Sequence, residues 1–210
     1  MIRWLLLLAL VLWLAVVVML LAGYARAAEP TQVTTALVCA VQHVIRWKDE
    51  PWTDRECEVQ AQAFTASGQR WGFNPLQLLA MDIIESDMRP NVQREDRGAL
   101  DVGEMAVRCK LGPDGKCTNR PVKGLTPAQL MDPATNIDMG ARILRELHGG
   151  STLGYNGGPN AREHGYSEKV AAIMAALGGV KVLVKGATMR KRVEQIARGV
   201  KYIIPQRKAG

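Results

Sequence analysis

The sequence predicts a mainly α-helical domain, preceded by an apolar targeting segment and followed by a basic helical tail. Three observations carry this prediction. Helix start signals recur between residues 34 and 177, each ahead of a stretch with helical apolar spacing. No strand pattern of convincing length occurs, and only short extended pieces fit between residues 91 and 124. The 210 residues suffice for one domain plus appendages, and no repeat or low-complexity tract divides them. With only two Phe, the core is expected to be mainly aliphatic.

The chain opens with Met1-Ile2-Arg3 and then an apolar run from Trp4 to Ala22 with no charge. Small residues around Ala25-Arg26-Ala27 suit cleavage by a signal peptidase. The run is long for a signal peptide and long enough to span a bilayer. Residues 1–27 therefore read as a signal peptide or an N-terminal membrane anchor. Both readings place the remainder outside the cytoplasm, in the periplasm or cell envelope, because Arg3 stays on the inner side. Tyr24 stands where a lipoprotein signal would carry its Cys, which argues against a lipid anchor.

Residues 28–52 form an N-terminal helix and its connection. The helix runs from Thr34 to Trp47 with Leu37, Val41 and Val44 on one face, and Asp49-Glu50-Pro51 breaks it. Thr53 caps the next helix, with Glu56 completing a capping box, Val59, Ala63 and Phe64 inward, and Gly72 closing it. Asn74-Pro75 starts a third helix as N-cap and first helical residue. That helix is apolar on more than one face, so it belongs at the centre, and it stops near Asp87 ahead of Arg89-Pro90. Thr126-Pro127 begins a brief helix to Met131. Asp132-Pro133 caps another, with Ile137, Ile143, Leu144 and Leu147 apolar and Gly149-Gly150 at its end. Gly154 to Pro159 reads as a loop, and Ser167 as the cap of a helix to Leu177 with Val170, Ile173 and Met174 inward. A last helix is expected over Met189–Tyr202 in the tail, residues 178–210.

The four cysteines all lie in the exported part, where an even count reads as disulfides. Three pairings exist. Cys39–Cys57 and Cys109–Cys117 are favoured because both close short loops, the second around the Pro113-Asp114-Gly115 turn. Zinc is disfavoured, since no close Cys or His pair has ligand spacing, and His43, His148 and His164 are scattered. No cofactor motif is present. From Gly178 to Gly210 nine Lys/Arg face one acid, Glu194, whereas residues 28–177 are slightly acidic. Such a tail suits an anionic partner, a membrane surface or a wall polymer, and equally a solvated helix face. Nucleic acid is not expected as a partner, and the oligomeric state is not encoded in any recognisable pattern.

Glu85 is the residue most suggestive of chemistry. It lies in the last turn of the most apolar helix, after Ile83-Ile84. Apolar surroundings disfavour a charged carboxyl and raise its pKa, as a general acid at neutral pH requires. A carboxylate there also opposes the helix dipole, which argues against a purely structural role. A solvent-facing Glu, or one paired with Arg89, is the bland alternative.

Four segments resemble the lytic transglycosylase family (SLT domain) of the goose-type lysozyme-like superfamily, in the family's order. Asn74-Pro75-Leu76-Gln77-Leu78-Leu79-Ala80 followed by Glu85-Ser86 is similar to the segment that holds its catalytic Glu. Gly98-Ala99-Leu100-Asp101-Val102-Gly103-Glu104-Met105 resembles its Gly-rich "G-x-M-Q" turn. Asp132-Pro133, Asn136-Ile137, Gly140-Ala141 and Leu144 resemble its third motif helix. Tyr155-Asn156-Gly157-Gly158-Pro159 resembles its "Y-N-x-G-P" loop, and Tyr166 with Val170 its closing helix. The resemblance spans about residues 53–177, and implies a lysozyme-like helical domain there.

It also implies a reaction. Glu85 would protonate the glycosidic oxygen between N-acetylmuramic acid and N-acetylglucosamine in peptidoglycan. The muramic 6-hydroxyl would then attack, with Glu85 as base, leaving a 1,6-anhydro end. Attack by water, helped by Asp101 or Glu104, would make a hydrolytic lysozyme instead. Ser86, Glu104, Met105, Tyr155, Asn156 and Tyr166 are the implied substrate-binding residues. Ser86 would orient Glu85 or the sugar, or else cap its own helix locally. Tyr166 would approach Glu85 from the last helix, or else pack as an ordinary core Tyr. The Trp residues of the exported part, Trp47, Trp52 and Trp71, read as packing residues.

The chain departs from the family at the cleft Gln, which one register replaces by Glu104 and the other by Ala106. Arg108 to Gly124 looks like an insertion. A glycan-binding envelope protein with weakened catalysis is thus a non-enzymatic alternative, and an envelope interaction protein acting through its tail is another.

Overall fold

The computed structural model describes residues 33–45, 52–157 and 165–178. The chain divides into two compact units, Met1–Thr31 and Gln32–Gly210, and every described residue belongs to the second. That unit is mainly helical, with one small antiparallel sheet. Its helices are α1 (Thr35–Ile45), α2 (Asp54–Trp71), α3 (Pro75–Ser86), α4 (Pro127–Leu130), α5 (Pro133–Glu146), α6 (Thr152–Gly157) and α7 (Tyr166–Gly178). The strands β1 (Gln93–Asp96), β2 (Ala99–Val102) and β3 (Val107–Cys109) lie between α3 and α4. The N-terminal apolar segment, Trp47, the Asp49-Glu50-Pro51 break, Gly158-Pro159, His164 and the tail fall outside the described residues. No helix among the described residues is long and apolar enough to cross a membrane.

The helix starts follow the predicted chemistry. Thr53 Oγ1 accepts from the Glu56 N–H at 3.3 Å, and the Glu56 carboxylate accepts from the Thr53 N–H at 2.6 Å. Asn74 Oδ1 accepts from Leu76 N–H ahead of Pro75, and Asp132 Oδ2 accepts from Thr135 N–H ahead of Pro133. These caps satisfy amides that the first helical turn leaves without partners. Gly72 ends α2 in the left-handed conformation, φ 75°. Beyond α5, the Gly150 N–H returns to the Leu144 carbonyl at 2.8 Å.

Helix α3 is the centre of the core, with Leu76, Leu78, Leu79, Ala80, Met81 and Ile83 all buried. Burying each of its large side chains contributes about 1.5–3 kcal/mol. Helix α3 packs against α2 and α7, and α2 also packs against α1 and α5. Asp138 of α5 accepts from Arg70 and from the Trp71 indole N–H at the end of α2, at 2.9 and 3.0 Å. Trp52 and Trp71 pack half-buried against the core. Both expected disulfides form: Cys39–Cys57 ties α1 to α2, and Cys109–Cys117 ties β3 to the following loop.

Four sequence expectations are corrected. Val59 is exposed rather than inward, because the buried stripe of α2 runs through Cys57, Gln60, Ala61, Phe64 and Gly68 and passes it by. Leu147 is exposed because α5 ends before it, with its apolar stripe complete at Leu144. Tyr155-Asn156-Gly157 is helical, not loop. Gly154 there permits close approach rather than a turn, since a Cβ would lie 2.9 Å from His148 Nδ1. Ser167 lies inside α7, whose first turn bonds back to the Gly165 carbonyl, and Ser167 Oγ accepts from the Thr152 hydroxyl. The short extended pieces expected between residues 91 and 124 do form, as a sheet of order β1-β2-β3. Strands β1 and β2 pair from Gln93↔Val102 to Asp96↔Ala99. They join through Arg97-Gly98, both at positive φ as a tight hairpin turn requires.

Candidate active site

Glu85 is the penultimate residue of α3, and the chain leaves the helix abruptly after it. Asp87 and Met88 both adopt left-handed backbone, φ 55° and 57°. Non-glycine residues there cost about 1–3 kcal/mol each, so the surroundings must hold them. Met88 is fully buried, and its carbonyl accepts from the Gln42 amide of α1 at 3.0 Å. A strained and clamped turn therefore fixes the end of the helix that carries Glu85.

The Glu85 carboxyl is half-buried, and the Tyr166 hydroxyl of α7 donates to its Oε1 at 2.6 Å. Arg89 does not pair with it: its Nε donates to the Ser86 carbonyl, and its guanidinium lies 3.6 Å from Asp87. Burial lifts the Glu85 pKa above the ordinary carboxyl range; the Tyr166 bond pulls it down, the Asp101 charge lifts it, and Arg94 pulls it down. Burial has the larger effect, so Glu85 holds its proton to higher pH than an exposed Glu. Tyr166 is pushed up as well, first by burial and then by the Glu85 charge, so it acts as a donor.

The Gly103–Ala106 turn between β2 and β3 is linked to this acid through Tyr155, which bonds the turn and feels the Glu85 charge. Asn136 of α5 grips it: Asn136 Oδ1 accepts from Met105 N–H at 2.7 Å, and its amide donates to the Val102 and Leu130 carbonyls. Gly103 has φ 74°, and a Cβ there would strike the Asn136 side chain at 2.2 Å. Gly140 faces Met105 so closely that a Cβ would lie 2.7 Å from the Met105 Cβ. The Tyr155 hydroxyl of α6 donates to the Met105 carbonyl at 2.7 Å, with its ring edge-on to His148. Burial raises the Tyr155 pKa and the charges of Glu85, Asp82 and Asp101 add to this, which places the phenol within electrostatic reach of all three acids.

Asp101 of β2 is half-buried, its pKa raised first by burial and held down by Arg108, which bonds it at 3.3 Å and Asp96 at 3.0 Å. Its charge acts on Glu85, so it belongs to the site. Glu104 does not line the cleft as expected. Its side chain is fully buried, accepts from the Gln60 amide of α2, and faces Asp82 of α3. Met105 is also fully buried and meets the site through its backbone alone. Ser86 turns from Glu85: its hydroxyl donates to Asp82 at 3.4 Å and accepts from Arg89 N–H, so the local capping reading is the one the geometry carries. The Asn156 side chain lies outside the described residues.

Sequence reasoning missed Asp82 and Gln60. Asp82 carried a readable signal, as the sole charged residue amid Leu78-Leu79-Ala80-Met81 and Ile83-Ile84. An acid there needs a buried partner. Gln60 had no signal beyond its place on the inward stripe of α2. Chemically, the arrangement offers one carboxyl that stays protonated at raised pH, a phenol that orients it, and a second, charge-balanced carboxyl nearby. Comparison of the chain with models of known protein families found no match, and neither did comparison with curated proteins.

Proposed function

We propose that the chain is an exported peptidoglycan lytic transglycosylase in which Glu85 is the general acid and base. One observation carries the reading. The Tyr166–Glu85 hydrogen bond joins the first and last of the resembling segments on a half-buried acid whose pKa is raised. The other two segments meet beside it, through Asn136 and Gly140 against the Gly103–Ala106 turn.

In the proposed reaction, protonated Glu85 donates to the glycosidic oxygen between N-acetylmuramic acid and N-acetylglucosamine. The bond breaks through an oxocarbenium-like transition state. The ionised Glu85 then takes the proton of the muramic 6-hydroxyl as that oxygen closes on C1. The sugar supplies the nucleophile, so one carboxyl suffices. Tyr166 orients that carboxyl and stabilises its ionised form between the two steps.

A hydrolytic outcome has one specific observation in its favour, the Asp101 charge acting on Glu85, which suits a base for water. Glu104 no longer competes for that role, being buried. Digestion of purified peptidoglycan followed by mass analysis separates the readings. Anhydromuropeptides are expected; reducing ends would favour the hydrolase, and binding without products a weakened glycan-binding protein. Glu85→Gln keeps the shape and removes the ionisable proton, so cleavage should fall by at least about a hundredfold, the lower range for general acid–base catalysis. Undiminished cleavage by that variant would refute the mechanism.

A further inference from the structure

Asp82 and Glu104 are buried carboxyls for which the reaction proposed above has no use. Both are fully buried. They come from separate elements, Asp82 from α3 one turn before Glu85 and Glu104 from the turn between β2 and β3. Asp82 Oδ1 accepts from Ser86, and Glu104 Oε1 accepts from Gln60. Asp82 Oδ2 and Glu104 Oε2 are buried with no protein donor. The two carboxyls lie within hydrogen-bonding reach of each other. Two carboxylates are acceptors only, so a bond between them requires a proton on one. A single proton held between them would satisfy both orphaned oxygens, whose desolvation is otherwise uncompensated.

We propose that Asp82 and Glu104 share a proton, and that this protonated pair latches the Gly103–Ala106 turn onto the Glu85 helix as a positioning device. The latch has a direct path to the site. The turn carries the Met105 carbonyl that holds the Tyr155 hydroxyl, while α3 carries Glu85 three residues after Asp82. On proton loss to solvent, two adjacent anions face each other in a dry interior, and the turn must move away from α3. The surrounding groups reinforce proton retention. Asp87 adds negative charge from the cap of α3, Asp132 adds it from the N-cap of α5, and Glu85 adds it whenever it is ionised. Gln60 and Ser86 are neutral donors, and the Tyr155 and Tyr166 phenols stay neutral beside the pair. Burial raises both carboxyls, and Asp82 raises Glu104 further while the Glu104 bond draws Asp82 back to about 8, so the pair keeps a proton at neutral pH. The effect on catalysis rests on the glycan-cleaving reading; the shared proton does not.

The test uses the full chain and two readouts. Infrared spectra compared between Glu85→Gln and the double variant Glu85→Gln/Glu104→Gln isolate the pair from the site acid. A protonated-carboxyl band in the first, persisting to neutral pH and lost in the second, is expected. Melting temperature against pH is the second readout. A raised native pKa means the folded state binds more protons than the unfolded chain. Stability from the pair is therefore full below about pH 4, the unfolded carboxyl range, and is lost as pH rises through the native titration. Glu104→Gln keeps both hydrogen bonds without a proton, so its melting temperature should fall less with pH, and its cleavage should persist to higher pH. Asp82→Asn replaces the proton from the other side and should act alike if Glu104→Gln folds poorly. Absence of the band, or the same pH dependence in parent and variants, would overturn the latch. A chain that shows the band yet cleaves no glycan would overturn the reaction proposed for Glu85 and leave the shared proton standing.

Discussion

Tyr166→Phe isolates the contact on which the site turns. The substitution removes the hydroxyl that donates to Glu85 at 2.6 Å and keeps the buried ring. A hydrogen bond to a charged group contributes about 1.5–3 kcal/mol and one to a neutral group about 0.5–1.5 kcal/mol. The bond therefore favours ionised over protonated Glu85 by about 1–1.5 kcal/mol. At about 1.4 kcal/mol per pKa unit, its loss raises the Glu85 pKa by about one unit. The direction agrees with the site, where the Tyr166 bond opposes the upward push of burial. Because Glu85 must be protonated when the glycosidic bond breaks, the alkaline limb of kcat/KM should move up by about one pH unit. The assay is cleavage of purified peptidoglycan across pH, with carbon-13 titration of the Glu85 carboxyl as a check independent of activity. An alkaline limb that stays in place, or moves down, would refute the assignment of Tyr166 as the orienting donor to a catalytic acid.

Two further outcomes follow from the packing around the site. Asn136→Ala deletes three buried hydrogen bonds, to Met105 N, Val102 O and Leu130 O, and leaves those groups unsatisfied. Unfolding free energy should drop by about 3–5 kcal/mol, from bonds worth about 1 kcal/mol each plus the unpaired partners; a loss under about 1 kcal/mol in denaturant titration would show that the turn is held by other contacts. The disulfides should differ in weight, since Cys39–Cys57 closes a separation of 18 residues and Cys109–Cys117 one of 8. Chain entropy gives about 3 and about 2.5 kcal/mol respectively, so Cys39→Ser/Cys57→Ser should lower the melting temperature more than Cys109→Ser/Cys117→Ser. The reverse order would mean that the β3 loop, and not the α1–α2 junction, is the weaker unit without its staple.

The helices were legible because their start signals are local. Thr53 with Glu56, Asn74 with Pro75, and Asp132 with Pro133 bring their amides and acceptors within four residues, and the structure keeps each pair. The disulfide pairing was legible through loop length. The sheet was not legible as such, because β1 is the wholly polar Gln93-Arg94-Glu95-Asp96 and none of its three strands exceeds four residues. Nothing periodic exists for a pattern to detect; pairing and the Arg97-Gly98 turn define it. Helix α6 was missed because Gly154 and Gly157 read as turn residues, whereas Gly154 is small to admit His148. Of the site, Glu85 was legible from its apolar run, and Tyr166 only through the order of segments, since 81 residues separate them. Glu104 was misplaced for a physical reason. A charged residue next to a Gly-rich turn looks solvent-facing, and only its distant partners Gln60 and Asp82 explain its burial.

Four acids, Asp82, Glu85, Asp101 and Glu104, crowd one small region of this fold, and their mutual arrangement decides whether a single one can act as an acid. Were all four ionised, Coulomb repulsion in a half-dry site would drive the turn and α3 apart. The charges of the other three are dealt with in two ways. Asp101 is balanced by the Arg108 guanidinium, which Asp96 also shares. Asp82 and Glu104 are joined by the proton between them, away from solvent. Glu85, half-buried like Asp101, differs from it in having no cation in hydrogen-bond contact and a neutral phenol as its partner. Its proton is therefore the one that is both held to higher pH than an exposed carboxyl holds it and accessible to a ligand. The segment after the turn gains a purpose by the same reasoning. It begins with Arg108 and is closed by Cys109–Cys117, so the staple fixes β3 beside the cation that balances Asp101. Loosening that staple should release Asp101 from Arg108, raise the repulsion on Glu85, and move its pKa further up rather than down.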